Sequence, residues 1–323
     1  MCIICNNNYN QDLKILDCNE CKNIKSIPKS LKKLQYLNCS NTNIKQLPMS
    51  LYNLKYLNIT NCIKINYIPQ SYNKLEKLIC KNTNIKYLNP NLYKLRYLDC
   101  SNTNICKLSH KYYKLITLKC GNCNITTLPH TYKNLITLEC NNNKLFYIPN
   151  NYSNLLYLIC NDNNLIYLSY KLNKLQYLNI SNNKIKELSY LYTNLTHLNI
   201  SNTRIKFIPI TYKKLKLLKC YKTKIFTFPL ELSNIREIYP KRLEKFHINF
   251  YIKYIHTQSL PNQIIEYINN KHGCCSICLD DLVLNKKDNI SIIKKCDHYF
   301  HKSCLFEWLH KSLVCPNCRT KIT

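Results

Sequence analysis

From Cys18 to Cys220 a small hydrophobic residue returns about every 20 positions, and no other feature restricts the fold as strongly. Cys80, Cys100, Cys120, Cys140 and Cys160 stand 20 apart, Ile180 and Ile200 take the next two places, and Cys220 follows. Ile59, Cys39 and Cys18 extend the series upstream with two one-residue insertions. The neighbours repeat too. The stretch Leu34-Gln35-Tyr36-Leu37-Asn38-Cys39-Ser40-Asn41-Thr42-Asn43-Ile44 generalises to L-x-x-L-x-C/I-x-x-N/T/C-x-I/L. Eleven copies begin at Leu13, Leu34, Leu54, Leu75, Leu95, Leu115, Leu135, Leu155, Leu175, Leu195 and Leu215. The L-x-C alternation predicts a short strand with one face inward. A single copy cannot bury its leucines alone, so the copies must stack into one continuous core, where cysteine serves as a compact hydrophobe.

The whole chain has two glycines in 323 residues. That excludes P-loop, collagen-like and Gly-linker readings, which need glycine for positive φ or close backbone approach. Asparagine, abundant at the repeat turns, is expected to take the left-handed conformations instead. Asn, Lys, Ile and Tyr all have A/T-rich codons, a bias that resembles giant DNA viruses and A/T-rich protists.

The repeat resembles the leucine-rich repeat family. Its length and its tails (Leu47-Pro48, Leu128-Pro129, Ile148-Pro149, Ile208-Pro209) resemble the short bacterial type. The resemblance implies an α/β-type curved solenoid of short parallel strands. It also implies that the ninth position, Asn in Asn143, Asn163 and Asn183, ties neighbouring turns together. Thr holds that position in five copies, and Cys21, Cys62 and Cys123 hold it in three. Residues 230–240 read as a degenerate twelfth repeat, 241–256 as a capping helix, and a second helix is expected from Pro261 to about Asn270. The domain organisation expected is a solenoid over 1–240, a helical cap and linker over 241–271, and a separate module over 272–323.

No apolar run reaches the roughly 18 residues that span a bilayer. The start, Met1-Cys2-Ile3-Ile4-Cys5, is too short for a signal-peptide core. The expectation is an intracellular, cytoplasmic protein with no membrane partner. Its 21 cysteines are then packing residues or metal ligands rather than disulfides. Cys2-x2-Cys5 and Cys18-x2-Cys21 have the spacing of two thiolate pairs. Cys18 and Cys21 also occupy repeat positions six and nine, as do Cys120 and Cys123, so coincidence with the repeat is the expected account.

The C-terminal chemistry is concentrated. Cys275-x2-Cys278, seventeen residues, Cys296-x-His298-x2-His301-x2-Cys304, ten residues, then Cys315-x2-Cys318 make eight ligands. Soft thiolates and imidazoles at such spacings suit tetrahedral zinc. The 44 residues from Cys275 to Cys318 are too few for a self-sufficient core, so metal must supply the folding energy.

This segment resembles the RING-H2 finger over about residues 272–323. The resemblance implies a zinc-stabilised cross-brace with two zinc ions per chain. One takes Cys275, Cys278, His301 and Cys304, the other Cys296, His298, Cys315 and Cys318. It further implies a RING-type E3 ubiquitin ligase. Ile277, Trp308 and Pro316 would line the groove for the ubiquitin-conjugating enzyme. Arg319 would be the cationic linchpin between that enzyme and its thioester-linked ubiquitin. No protein nucleophile is implied.

If the finger supplies activity, the repeats supply specificity. Positions three and five flank the buried leucine and face the concave side. There Lys77, Lys119 and Lys219 oppose Asp17, Asp99 and Glu139, leaving no net charge on a chain of formal charge +30. The lysines just before the first leucine, among them Lys94, Lys114 and Lys174, are expected on the outside. A phosphate-binding groove would be basic, so nucleic acid is not the expected partner. Tyr36, Tyr56, Tyr97, Tyr157 and Tyr177 instead suggest a protein substrate on the concave face. The readings from other classes are a non-catalytic scaffold of repeats and zinc finger, and a nucleic-acid-associated protein using the outer lysines.

Overall fold

Each copy of the pattern becomes one three-residue strand, placed at positions three to five of its repeat. The structure is a computed structural model that describes residues 3–6, 8–225, 232, 234–239, 290–293, 298–301, 305 and 308. The chain divides into two compact units, Met1–Glu244 and Lys245–Thr323. In the first unit the strands are β1 (Ile15–Asp17), β2 (Tyr36–Asn38), β3 (Tyr56–Asn58), β4 (Lys77–Ile79), β5 (Tyr97–Asp99) and β6 (Thr117–Lys119). They continue as β7 (Thr137–Glu139), β8 (Tyr157–Ile159), β9 (Tyr177–Asn179), β10 (His197–Asn199), β11 (Leu217–Lys219) and β12 (Glu237–Tyr239). All twelve form one sheet in sequence order, with parallel pairing of like positions such as Leu37 with Leu57 and Leu138 with Leu158. The strand β12 falls in the degenerate twelfth repeat. The two helices read from 241–256 and from Pro261 lie outside the described residues.

Burial follows the period. The central leucine of β2 to β8 is fully buried while its neighbour at position three is not, and one core runs from Ile4 to Ile238. Truncating such a leucine to alanine typically costs about 2–5 kcal/mol. Cys39, Cys80, Cys100, Cys120, Cys140 and Cys160 stack inside without exposure. Burial pushes the thiols of Cys80, Cys140 and Cys160 well above the usual thiol range, so the column is neutral and apolar.

The turns bear out the asparagine expectation. Position eight has φ near +55° in every repeat, with Asn41, Asn61, Asn82, Asn102, Asn122, Asn142, Asn182 and Asn202 there. Their amides also join across repeats: Asn61, Asn82, Asn102 and Asn122 each donate Nδ2 to the Oδ1 of the asparagine one repeat earlier, at 2.6–2.7 Å.

Position nine divides the repeats into three kinds. Asn163 donates Nδ2 to Cys140 O (3.0 Å) in the preceding repeat and to Cys160 O (3.2 Å) in its own. Its Oδ1 accepts from Leu145 N at 3.0 Å. Asn143 and Asn183 repeat that bridging. Thr42, Thr83, Thr103 and Thr203 donate to the position-six carbonyl of their own repeat, for example Thr103 to Cys100 O at 2.7 Å, and the hydroxyls of Thr42 and Thr103 also meet the thiols of Cys62 and Cys123 in the next repeat at 3.5 and 3.6 Å. Cys62 and Cys123 reach back instead, each thiol 3.0 Å from the carbonyl of Cys39 or Cys100 in the preceding repeat.

A second aromatic column was not anticipated from the sequence. Tyr72, Tyr112, Tyr132, Tyr152, Tyr192 and Tyr212 are fully buried, and each hydroxyl donates to a carbonyl of the preceding repeat at 2.7–2.8 Å. The signal was present as a tyrosine three residues before the next first leucine. These rings brace the side of the solenoid opposite the strands, and the hydroxyl finds the partner a buried tyrosine needs.

In the second unit, β13 (Ile290–Ile293) pairs antiparallel with β14 (His298–His301), with Ile290 opposite His301 and Ile293 opposite His298. Phe300 and Leu305 are buried. Among the described residues no helix is long and apolar enough to cross a membrane.

Candidate functional site

Two regions carry the candidate site residues. On the strand face, parallel register brings equivalent side chains together. Tyr36 and Tyr56 stack with ring centroids 4.1 Å apart and planes 9° from parallel. Burial and a hydrogen bond with Tyr36 that favours the neutral phenol push the Tyr56 hydroxyl up to about 12. Lys77 follows, its Nζ 5.4 Å from the Tyr56 ring and 4.6 Å from the Tyr97 ring. These contacts make Tyr36, Tyr56, Lys77 and Tyr97 one continuous row over four strands. A cation held between two rings in this way contributes about 0.5–1 kcal/mol per contact when exposed.

Further along, Tyr157 and Tyr177 lie 6.5 Å apart, and Tyr177 and His197 5.7 Å apart. Between the two aromatic rows stands the ion pair of Lys119 and Glu139 at 2.8 Å, and the Glu139 carboxylate raises the Lys119 ammonium above its ordinary value. The five tyrosines expected on this face are all on its strands, in two separate rows. Of the lysines on this face, Lys119 is paired with Glu139, while Lys77 and Lys219 lie over tyrosine rings.

The lysines before the first leucine are exposed and off the strand positions, as expected. Lys94, Lys114 and Lys174 line a groove of about 860 Å³ together with Glu76, Arg96, Asn134 and Asn154, over a floor of Ile116, Ile136 and Leu156. The residue before the first leucine leads directly into the strand, which puts it at the leading edge of the sheet. An apolar floor with a basic rim therefore borders the strand face.

In the second unit, Trp308 is helical and half-buried, and Leu305, one turn before it, is buried. His298 and His301 are the two ends of β14. Cys275, Ile277, Cys278, Cys296, Cys304, Cys315, Pro316, Cys318 and Arg319 lie outside the described residues. Among the described residues no group of three or more His, Cys, Asp and Glu side chains is arranged to hold a metal ion.

Residues 273–319 match the Ring finger domain family, and residues 174–191 match the Leucine Rich Repeat family. The chain is 39% identical over 64 residues to the RING-H2 finger protein ATL40 of Arabidopsis thaliana, covering 20% of this chain and 29% of that protein. It is 36% identical over 55 residues to the probable E3 ubiquitin-protein ligase RHB1A of the same plant, covering 17% of this chain and 27% of that one. It is 46% identical over 46 residues to the E3 ubiquitin-protein ligase Praja-2 of Mus musculus, covering 14% and 6%. The chain thus spans less than a third of the length of these relatives.

The solenoid is similar to the functional domain of InlJ from Listeria monocytogenes, which includes a cysteine ladder. The TM-score is 0.66 at 26% identity, over 70% of this chain and 53% of that one. It also shares its fold with the plant peptide hormone receptor RGFR1, at a TM-score of 0.54 and 21% identity, over 71% and 47%. A RING domain implies zinc binding. The chain joins a leucine-rich-repeat solenoid to a C-terminal RING-H2 segment.

Proposed function

We propose that the protein is a RING-type E3 ubiquitin ligase whose repeats select the protein to be modified. The observation that carries this reading is the match of residues 273–319 to the Ring finger domain, shared with relatives named as E3 ubiquitin-protein ligases. Within that segment Ile277 stands between the first two ligands, Trp308 four residues after Cys304, Pro316 directly after Cys315, and Arg319 directly after Cys318.

The donor set of six thiols and two imidazoles fits two zinc ions. Bound zinc supplies folding energy to the module and takes no part in the chemistry.

Ile277, Trp308 and Pro316 hold the conjugating enzyme, and Arg319 bridges it to its ubiquitin with several fixed donors. Catalysis is then by positioning: the thioester is held in a reactive conformer while a substrate lysine attacks it. Substrate recognition falls to the tyrosine rows, whose rigid amphipathic rings suit a protein partner. The protein would act in the cytoplasm, where the conjugating enzymes are.

Autoubiquitylation with purified conjugating enzyme tests the reading. Activity is expected in the parent. Ile277→Ala should weaken docking of the conjugating enzyme, whereas Arg319→Ala should keep docking and slow ubiquitin discharge about tenfold, or about 1.4 kcal/mol. A parent that docks no conjugating enzyme would leave the non-catalytic scaffold as the better reading.

A further inference from the structure

Position two of the repeat, the residue directly after the first leucine, is polar in eight of the eleven copies. The exceptions are consecutive: Ile116, Ile136 and Leu156. Parallel register pairs Thr117 with Thr137 and Thr137 with Tyr157, so these three side chains stand next to one another where the strands begin. None of the three belongs to the core, and Ile136 is 38% exposed. Together they form the floor of the groove that Lys94, Arg96, Lys114 and Lys174 border. A single exposed apolar side chain needs no explanation, whereas a row of them rimmed by charge marks a contact surface.

The rim is shaped to that floor. The residue before the first leucine is lysine at the two ends, in Lys94 and Lys114 and again in Lys174, but asparagine in the middle, in Asn134 and Asn154. Both asparagine amides are tied to the framework, Asn134 Nδ2 to Tyr113 O at 3.1 Å and Asn154 Nδ2 to Lys133 O at 3.0 Å. The middle of the rim therefore carries no charge. Lys174 Nζ donates to Asn154 Oδ1 at 2.8 Å, which holds its ammonium beside the groove. Four bases stand against one acid, Glu76, so the rim attracts carboxylates. The backbone of the floor is already paired: Ile136 N and Thr137 N donate to Ile116 O, and Leu156 N and Tyr157 N to Ile136 O. A ligand meets side chains here and no open strand edge to extend.

We propose that this groove docks an extended protein segment with a short apolar centre and acidic residues on both sides. Neighbouring parallel strands lie about 4.8 Å apart, so the backbones at Lys114 and Lys174, three repeats apart, are separated by roughly 14 Å. An extended chain covers that distance in about four residues, which leaves room for two alternate apolar side chains between its acids. A phosphate backbone would meet the lysines but gain nothing from Ile116, Ile136 and Leu156. The site is separate from the tyrosine rows and does not depend on ubiquitin transfer.

A fluorescein-labelled peptide, Asp-Glu-Leu-Ser-Leu-Glu-Asp, titrated into the full-length protein and followed by anisotropy, tests the site. It should bind, and the same peptide with serine for both leucines should bind about tenfold more weakly. Ile136→Asp should weaken binding about tenfold with the thermal midpoint unchanged, and Lys94→Gln/Lys114→Gln/Lys174→Gln should do the same. Lys14→Gln/Lys55→Gln/Lys216→Gln removes as much charge at exposed position-two sites of other copies, and should alter binding less than about twofold. If Ile136→Asp does not fold, the serine peptide and the two lysine triples decide. No binding of the leucine peptide overturns the proposal. Equal binding of the serine peptide, or equal losses in the two lysine triples, also overturns it, because charge alone would then account for the binding. Tighter binding of a short oligothymidylate through Lys94, Lys114 and Lys174 overturns it in favour of a phosphate ligand.

Discussion

Leu138 has a counterpart in Leu118 on one side and Leu158 on the other, at the same register and equally buried, whereas Phe300 and Leu305 in the Lys245–Thr323 unit have no such series. In the solenoid, stability accumulates from many equivalent contacts, each replaceable by its neighbours. In the RING-H2 segment a chain of 44 residues from first to last ligand relies on a few irreplaceable side chains. A single substitution should therefore mean different things in the two units: a graded loss in one, all or nothing in the other.

The hardest test of that contrast is Cys278→Ser. It should abolish ubiquitin transfer while leaving the solenoid's thermal unfolding midpoint where it was, as calorimetry would register. Joint loss of both units would break the comparison.

Next in size is Tyr157→Ala with Tyr177→Ala. Partner capture should disappear, at about 2 kcal/mol or more for each anchor, with autoubiquitylation unchanged.

Within the solenoid the grading itself can be measured. Asn163→Ala leaves Leu145 N–H without its partner and takes one of two amide donors from each of Cys140 O and Cys160 O, and should cost about 2–3 kcal/mol in denaturant unfolding. Thr103→Val removes the hydroxyl's bond to Cys100 O together with its long contacts to Cys123 Sγ and Ile105 N–H, and should cost about 1 kcal/mol. Equal costs would mean that the amide bridge between repeats adds nothing.

The smallest effect is expected from Lys94, Lys114 and Lys174 changed together to Gln, with capture reduced less than about twofold at physiological salt. A large loss would instead move the recognition surface to the groove they line.

Strand positions, the cysteine column and the tyrosine pairs were legible in the sequence because a solenoid repeats its environment. One copy read correctly gives the rest, and Tyr36 against Tyr56 follows from the period alone. What escaped were contacts that depend on the third dimension. Tyr132 and Tyr157 differ in sequence only by their place in the repeat, yet one is buried with its hydroxyl on Ser109 O and the other is 45% exposed. Lys114 was assigned to the outside because charge alone carries no direction, and only the strand's path shows that it borders a groove. The RING-H2 ligands were read from spacing and their division between two ions from family resemblance, and all but His298 and His301 lie outside the described residues.

The asparagine ladder at position eight has a polarity. Every amide from Asn122 back to Asn41 donates toward the start of the chain, ending on Asn19 Oδ1 at 3.2 Å. Such a row of aligned dipoles strengthens as it lengthens, since each bond polarises the next. It is also indifferent to how many rungs it has. The extra residue between Asn61 and Asn82 is absorbed with the bond kept at 2.7 Å. Duplication or loss of a whole repeat would leave every remaining rung with the same donor and the same acceptor. Copy number is therefore the property of this molecule most free to drift, and the reach of its tyrosine face would drift with it.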